Sequence, residues 1–210
     1  MGILLNPDNL NFKEAINSEI YIDKTELIKH TNKVLQTKQK YICVSRPRRF
    51  GKSMAADMLT AYYSRGCDSE QMFSKYKISK AESFGEHLNK YNVIHINMVD
   101  YLSESENMDE MLKFIETDII DEITEEFSEA ILPKRITLRN VFNKVFLKHN
   151  IPFVFIIDEW DCIFRKHKHD KESQTVYLDF LRNLLKDHSY VALAYMTGIL
   201  PIKKYGEHSA

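Results

Sequence analysis

A loop ending in Gly51-Lys52-Ser53 constrains the fold of this chain more than any other feature. It follows a short apolar, β-branched run at 41–44 that predicts a buried strand, and it precedes residues 54–59, which are typical of a helix. Backbone N–H groups of such a loop and of the first helical turn converge on one point, where the helix dipole adds positive potential. The order strand, loop, helix therefore predicts a phosphate-binding loop.

The residues of the loop differ in what they offer a phosphate. Gly51 lets the backbone approach closely, Lys52 supplies a cation, and Ser53 offers a hydroxyl to Mg²⁺. The usual pattern is G-x-x-x-x-G-K-[ST], and Arg46 occupies the position of its first glycine, so the turn there must come from Pro47 and the local backbone. A chance Gly-Lys-Ser in a surface loop is the alternative. The residues expected to contact a nucleotide are Arg46, Pro47, Arg48, Arg49, Phe50, Gly51, Lys52, Ser53 and Met54.

Three further apolar runs predict strands, at 93–98, 152–157 and 190–196. The run at 152–157 is uninterrupted, which suits a strand buried on both faces of a parallel sheet, and it ends in Asp158-Glu159. Because the strands alternate with helical patterns, the sequence predicts an α/β sheet with parallel strands and right-handed crossovers. Ligands bind such sheets at the carboxyl ends of the strands, which is where the loop, Asp158-Glu159 and Thr197 all fall.

The residues at these strand ends suit hydrolysis of a nucleoside triphosphate. Mg²⁺ would neutralise the β- and γ-phosphate oxygens, with Ser53 as a direct ligand and Asp158 holding the metal, usually through water. Lys52 would contact the phosphates, and Glu159 is placed to deprotonate a water for in-line attack on the γ-phosphate. Thr197 could place a hydroxyl between that phosphate and the water, or it could simply end its strand in a turn.

Several charged residues have more than one interpretation. Arg46, Arg48 and Arg49 add positive charge beside the phosphates, and they could contact the nucleotide, a carboxylate such as Asp161, or a partner. They could also be solvated loop residues. The charged run at 165–170 contains two alternate histidines, but its many lysines favour a solvated loop over a metal site.

Composition argues against several classes of protein. The net charge of −1 over 210 residues gives no support for strong non-specific binding to nucleic acid or to an anionic membrane. No apolar run approaches the roughly 18 residues of a membrane-spanning helix. Cys43, Cys67 and Cys162 are odd in number and lack metal-ligand spacing, and residues 1–7 do not resemble a signal peptide. We therefore expect a cytoplasmic protein in a reducing compartment.

The N-terminal part is expected to lead into the core. Residues 12–22 predict an extended segment, and Asp23 with Glu26 resembles a capping box that starts a helix running to about Gln36. We expect one domain over residues 1–210, in which 1–38 form this N-terminal segment and helix and 39–210 form the nucleotide-binding core.

Four segments together resemble the AAA-ATPase-like family of prokaryotic proteins, whose members often carry a C-terminal PD-(D/E)XK-type nuclease domain. The segments are 21–25, 45–53, 155–161 and 197–206. The resemblance covers nearly the whole chain and accounts for Arg46, because the family tolerates arginine there. It implies a three-layer P-loop NTPase with one additional strand between the phosphate-loop strand and the Asp-Glu strand. The implied strand order is 5-1-4-3-2.

The resemblance also shapes the expected function. The chain ends where the family's ATPase domain would continue into a fifth strand and a lid, so we expect the core to be truncated and that strand to be missing or incomplete. No nuclease motif is present. We expect an ATPase domain that binds ATP with Mg²⁺ and hydrolyses it slowly or with a protein partner or a second copy. The alternatives are a nucleotide-sensing interaction module without significant hydrolysis and a nucleic-acid-associated ATPase.

Overall fold

The computed structural model describes residues 2–127 and 136–200. Within these ranges the strands are β1 (Tyr41–Ser45), β2 (Asn92–Asn97), β3 (Phe153–Asp158) and β4 (Val191–Gly198). The helices are α1 (Leu10–Ile16), α2 (Glu26–Val34), α3 (Lys52–Tyr63), α4 (Glu70–Phe73), α5 (Phe84–His87), α6 (Met98–Glu104), α7 (Met108–Glu126), α8 (Leu138–His149), α9 (Cys162–Lys166) and α10 (Lys171–Leu185), with a 3₁₀ helix at Lys77–Lys80. Each strand lies within two residues of its predicted bounds.

The four strands form one parallel sheet in the order β1-β4-β3-β2. This confirms the predicted α/β class and the parallel sheet. The five-stranded order 5-1-4-3-2 is not the observed order, because no described segment forms a fifth strand beside β1. Such a strand would follow β4, and residues 201–210 lie outside the described part of the chain.

Strand β3 explains why the sheet is covered on both faces. All six of its residues are buried. Phe153, Phe155 and Ile157 pack into a core cluster with α7, α8 and α10, whereas Val154 and Ile156 pack into a second cluster with α1, α2 and α3. A strand with helices on both faces has no solvent-facing side, which is why β3 is apolar from Phe153 to Ile157.

The N-terminal segment differs from the prediction. Residues 10–16 form helix α1, where an extended segment was expected, because Phe12, Ala15 and Ile16 recur at helical spacing and pack on the second cluster. Helix α2 begins at Glu26 with Thr25 as its N-cap, and no side chain caps it. The predicted capping box of Asp23 and Glu26 is therefore wrong.

The register of the sheet aligns the carboxyl ends of its strands. Ser45 of β1 pairs with Gly198 of β4, and Asn97 of β2 pairs with Asp158 of β3. The residues that follow all four strands therefore lie along one edge of the sheet, where a parallel sheet binds ligands. No helix in the described ranges is both long and apolar enough to cross a bilayer.

Candidate functional site

Asp158 is fixed at the end of β3 by two hydrogen bonds. The Thr197 hydroxyl of the neighbouring strand donates to its Oδ1, and so does the Glu159 N–H at 2.9 Å. Thr197 is fully buried behind Asp158. Asp158 of β3 and Thr197 of β4 are thus in direct contact, through the hydrogen bond that Thr197 donates. Its predicted place between a phosphate and water stays a prediction.

The loop after β1 leaves a set of N–H groups without protein acceptors. It starts where the Arg46 N–H donates to the Gly198 carbonyl at 3.1 Å, and it turns through left-handed residues at Arg49, with φ of 68°, and Gly51, with φ of 72°. Helix α3 then begins at Lys52. Within the described ranges, the N–H groups of its first three residues donate to no backbone or side-chain acceptor. This is the arrangement that a phosphate would complete.

Lys52 links this loop to the acidic end of β3. The residue is only 7% exposed, and its Nζ donates to the Pro47 carbonyl at 3.2 Å. The same Nζ lies 4.0 Å from Oε1 of Glu159. Residues more than a hundred positions apart in the chain therefore share one site, as the alignment of strand ends predicted.

The chain was compared with known proteins. A family model described as AAA-ATPase_like, Predicted AAA-ATPase, matches residues 10–206. This chain belongs to the AAA-ATPase-like family. The family description supports an ATPase-like role and nucleotide binding in general. No curated protein shows significant similarity to the chain.

Glu159 of this AAA-ATPase-like domain is held by a second cation that the sequence reasoning missed. Its φ is 53°, in the left-handed region that residues with side chains rarely adopt. Arg165 of α9 donates through its NH2 group to Oε2 of Glu159, and its Nε lies 3.4 Å from Oδ1 of Asp161. The assignment of Arg165 to a solvated loop was therefore wrong. Its i,i+4 spacing from Asp161 was the available signal.

Asp161 contacts groups other than the loop arginines. It is fully buried, and its Oδ2 accepts the N–H groups of Ile199 at 2.9 Å and Leu200 at 2.7 Å. This carboxylate ties the end of β4 to the turn that follows Glu159. Gly198 lies between them, and a Cβ there would meet Oδ1 of Asp161 at 2.9 Å and Nε1 of Trp160 at 2.8 Å.

Replacing Gly198 with alanine should therefore destabilise the domain. The added methyl group would displace the buried Trp160-Asp161 turn, and overpacking of this kind costs about 1–3 kcal/mol. Gly85 is the matched control, because a Cβ there would meet nothing within 4 Å. Urea denaturation should show a lower midpoint for Gly198→Ala and no loss for Gly85→Ala. Equal midpoints for the two variants would contradict the packing described here.

The loop arginines face solvent. Arg46, Arg48 and Arg49 are exposed, as is Phe50, which is 60% exposed. None of the three arginines forms an ion pair with a described acidic residue. The alternative in which one of them binds Asp161 is not observed. Contact with a nucleotide or a partner stays a prediction for all three.

Asp57 is a further carboxylate near the site that sequence reasoning missed. It lies on α3, one turn after Ser53. Burial raises its pKa to about 6, the charge of Asp158 adds to the rise, and a hydrogen bond with Asn11 opposes it. Its position at i+4 from the loop serine was the only sequence signal.

The raised pKa of Asp57 predicts a pH-dependent cost to stability. Its folded-state pKa of about 6 exceeds the ordinary value of 3.8, so the folded protein binds this proton more tightly than the unfolded chain. Stability contributed by the protonated carboxyl is present below about pH 4 and is lost as the pH rises through about 6. Asp57→Asn should unfold with a free energy about 1–3 kcal/mol higher than wild type at pH 7.5, by the linkage of pKa to stability.

Denaturant titrations of both proteins between pH 4 and pH 8 measure that difference. The difference in free energy of unfolding between the two proteins should shrink toward zero near pH 4. His95, whose pKa is lowered by burial while the charge of Asp158 opposes the shift, is present in both proteins and cancels in the comparison. A difference in free energy of unfolding that does not change with pH would contradict the raised pKa of Asp57.

Ser53 and Asp158 are the residues that could hold a magnesium ion at this site. Among the described residues, no group of three or more His, Cys, Asp or Glu side chains could hold a metal by itself. Ser53 is exposed at the start of α3, and Asp158 is fixed at the strand end. Two protein ligands would suit magnesium, which in nucleotide sites usually keeps several waters and binds substrate phosphates.

Proposed function

We propose that this domain binds ATP with Mg²⁺ at residues 46–54 and hydrolyses its γ-phosphate, slowly or with the help of a partner. The observation that carries the proposal is the 4.0 Å approach of Lys52 Nζ to Glu159 Oε1, with Asp158 beside them at the strand end. A cation, a metal-binding carboxylate and a second carboxylate at one edge of a parallel sheet are the groups that phosphoryl transfer to water uses.

The loop residues supply the binding. The N–H groups at the start of α3 would donate to phosphate oxygens, and Lys52 would exchange its contact with the Pro47 carbonyl for a charged one. Mg²⁺, held by Ser53 and Asp158, would neutralise the β- and γ-phosphate oxygens. Thr197 keeps the Asp158 carboxylate in place through its hydroxyl.

Glu159 is the proposed base. Its carboxylate would accept a proton from the water whose oxygen attacks the γ-phosphorus, while the bond from that phosphorus to the β-bridging oxygen breaks and ADP leaves. The Arg165 guanidinium now holds this carboxylate. Because Arg165 occupies Oε2 of this carboxylate, the pairing supports slow turnover. Turnover would rise when a partner or a second copy draws Arg165 away.

The same pairing favours a second candidate function. If Arg165 stays on Glu159 when ATP is bound, the domain would bind nucleotide without significant hydrolysis and would signal its nucleotide state to a partner. The exposed loop arginines keep nucleic-acid association as a further proposal, against which the net charge of −1 argues. A protein partner or a second copy, and a cytoplasmic location, stay predictions.

Phosphate release from ATP and from GTP, each with Mg²⁺, tests the proposal on the purified chain. We expect slow, magnesium-dependent release that Arg165→Gln accelerates, because the Glu159 carboxylate is then free to turn toward the water. Saturable ATP binding without release in either protein would favour the sensing module. Loss of DNA binding as salt rises would support nucleic-acid association, and no DNA binding at low salt would remove it.

A further inference from the structure

Lys24 contacts the phosphate loop from outside it. Its Nζ donates to the Phe50 carbonyl at 2.8 Å, across 26 positions of the chain. It also lies 2.6 Å from where a Cβ of Gly51 would be. We propose that Lys24 is a positioning residue of the nucleotide site, which holds the loop ready for the phosphates of a nucleoside di- or triphosphate. This inference rests on the proposed function.

The backbone around Lys24 is firmly anchored. Oδ1 of Asp23 accepts the Thr25 N–H at 2.9 Å and the Thr25 hydroxyl at 2.7 Å, and its Oδ2 accepts the Lys77 N–H at 3.0 Å. Burial alone would raise the pKa of Asp23, but these donors keep it below its ordinary value. Thr25 is fully buried and accepts the Ile78 N–H at 3.1 Å. Lys24 therefore extends from a fixed turn that α2 and the 3₁₀ helix share.

The contact sets which backbone groups the loop offers to a ligand. Two loop carbonyls accept hydrogen bonds from lysine side chains. Lys52 donates to the Pro47 carbonyl, and Lys24 donates to the Phe50 carbonyl. A carbonyl oxygen turned toward a phosphate would repel it, whereas N–H groups attract it. With the Phe50 carbonyl held by Lys24, the N–H groups that start α3 stay free for the anion.

Lys24 also bears on one feature of the loop sequence. Gly51 has a left-handed backbone and, in addition, leaves the space that the Lys24 side chain occupies. The left-handed conformation thus favours glycine at 51, and a Cβ there would displace the Lys24 ammonium group.

Nucleotide titrations of Lys24→Met test the proposal. The change keeps the length of the side chain and removes its charged donor. The affinities for Mg·ATP and Mg·ADP should each fall about tenfold or more, the usual effect of losing a hydrogen bond with a charged group. Lys24→Arg, which keeps a cationic donor, should bind within about fivefold of wild type by the same reasoning. Lys29→Met, an exposed position on α2, is the matched control and should bind as wild type does.

Thermal melts without nucleotide separate positioning from folding. All variants should melt within about 2 °C of wild type, since a surface change of this kind alters stability little. An unchanged affinity in Lys24→Met, an Arg variant as weak as the Met variant, or an equal loss in Lys29→Met would overturn the inference. If wild type binds nucleotide and Lys52→Ala does not, such a result removes only the role of Lys24. If wild type binds no nucleotide, the proposed function fails as well.

Discussion

Lys52→Ala should raise the dissociation constant for Mg·ATP by about 100-fold or more. The substitution removes the cation that the loop holds at 7% exposure between the Pro47 carbonyl and Glu159. Charge-assisted bonds to phosphate are each worth about 1.5–3 kcal/mol, and about 2.7 kcal/mol corresponds to 100-fold. Trp160 is the only tryptophan of the chain and directly follows Glu159, so its fluorescence should report binding.

The Lys52 result needs a control for general charge effects and for folding. Lys33→Ala changes an exposed lysine on α2 and should bind Mg·ATP as wild type does. Lys52→Ala should also stay folded, because Arg165 still pairs with Glu159 after the change. An Mg·ATP affinity within threefold of wild type, in a folded Lys52→Ala protein, would show that the loop is not the nucleotide site.

Glu159→Gln should separate binding from hydrolysis. The amide keeps the shape of the side chain and can still accept a hydrogen bond from Arg165, so Mg·ATP affinity should change less than about threefold. It cannot accept a proton from water, and loss of a general base typically lowers the rate by about 10²–10⁴-fold. Single-turnover phosphate release at saturating enzyme measures the chemical step directly.

Glu172→Gln is the matched control, because Glu172 is exposed in the first turn of α10. Its rate of phosphate release should equal that of wild type. If Glu159→Gln releases phosphate at the wild-type rate, Glu159 is not the base and another group must deprotonate the water. If wild type itself shows no release, the sensing function becomes the better account.

The parts of the fold that the sequence predicted well are those in which local pattern and burial agree. β3 is apolar from Phe153 to Ile157 because both of its faces are covered, so its extent and parallel class could be read from residues 152–157. The order of strand, loop and helix around Lys52 could be predicted because β1, Gly51 and α3 are adjacent in the chain. The meeting of Lys52 with Glu159 followed from the rule that parallel strands share a carboxyl edge.

The remaining features depend on contacts between distant segments, which local pattern does not encode. Lys24 reaches Phe50 only because the turn at Asp23 docks on the 3₁₀ helix. Arg165 reads as one charge in a charged run, and only the fold places it on Glu159. Helix α1 was missed because its apolar residues are few and its stability comes from packing, including Phe12 stacked on Phe73 at 5.2 Å between ring centroids.

Calorimetric titration of the wild-type chain with ATP, with and without Mg²⁺, tests the central claim most directly. We predict saturable binding at one site per chain that tightens when Mg²⁺ is present, because Ser53 and Asp158 would hold the metal against the phosphates. ADP should bind with the same stoichiometry. Absence of saturable binding, or binding that Lys52→Ala leaves intact, would contradict a nucleotide site at residues 46–54.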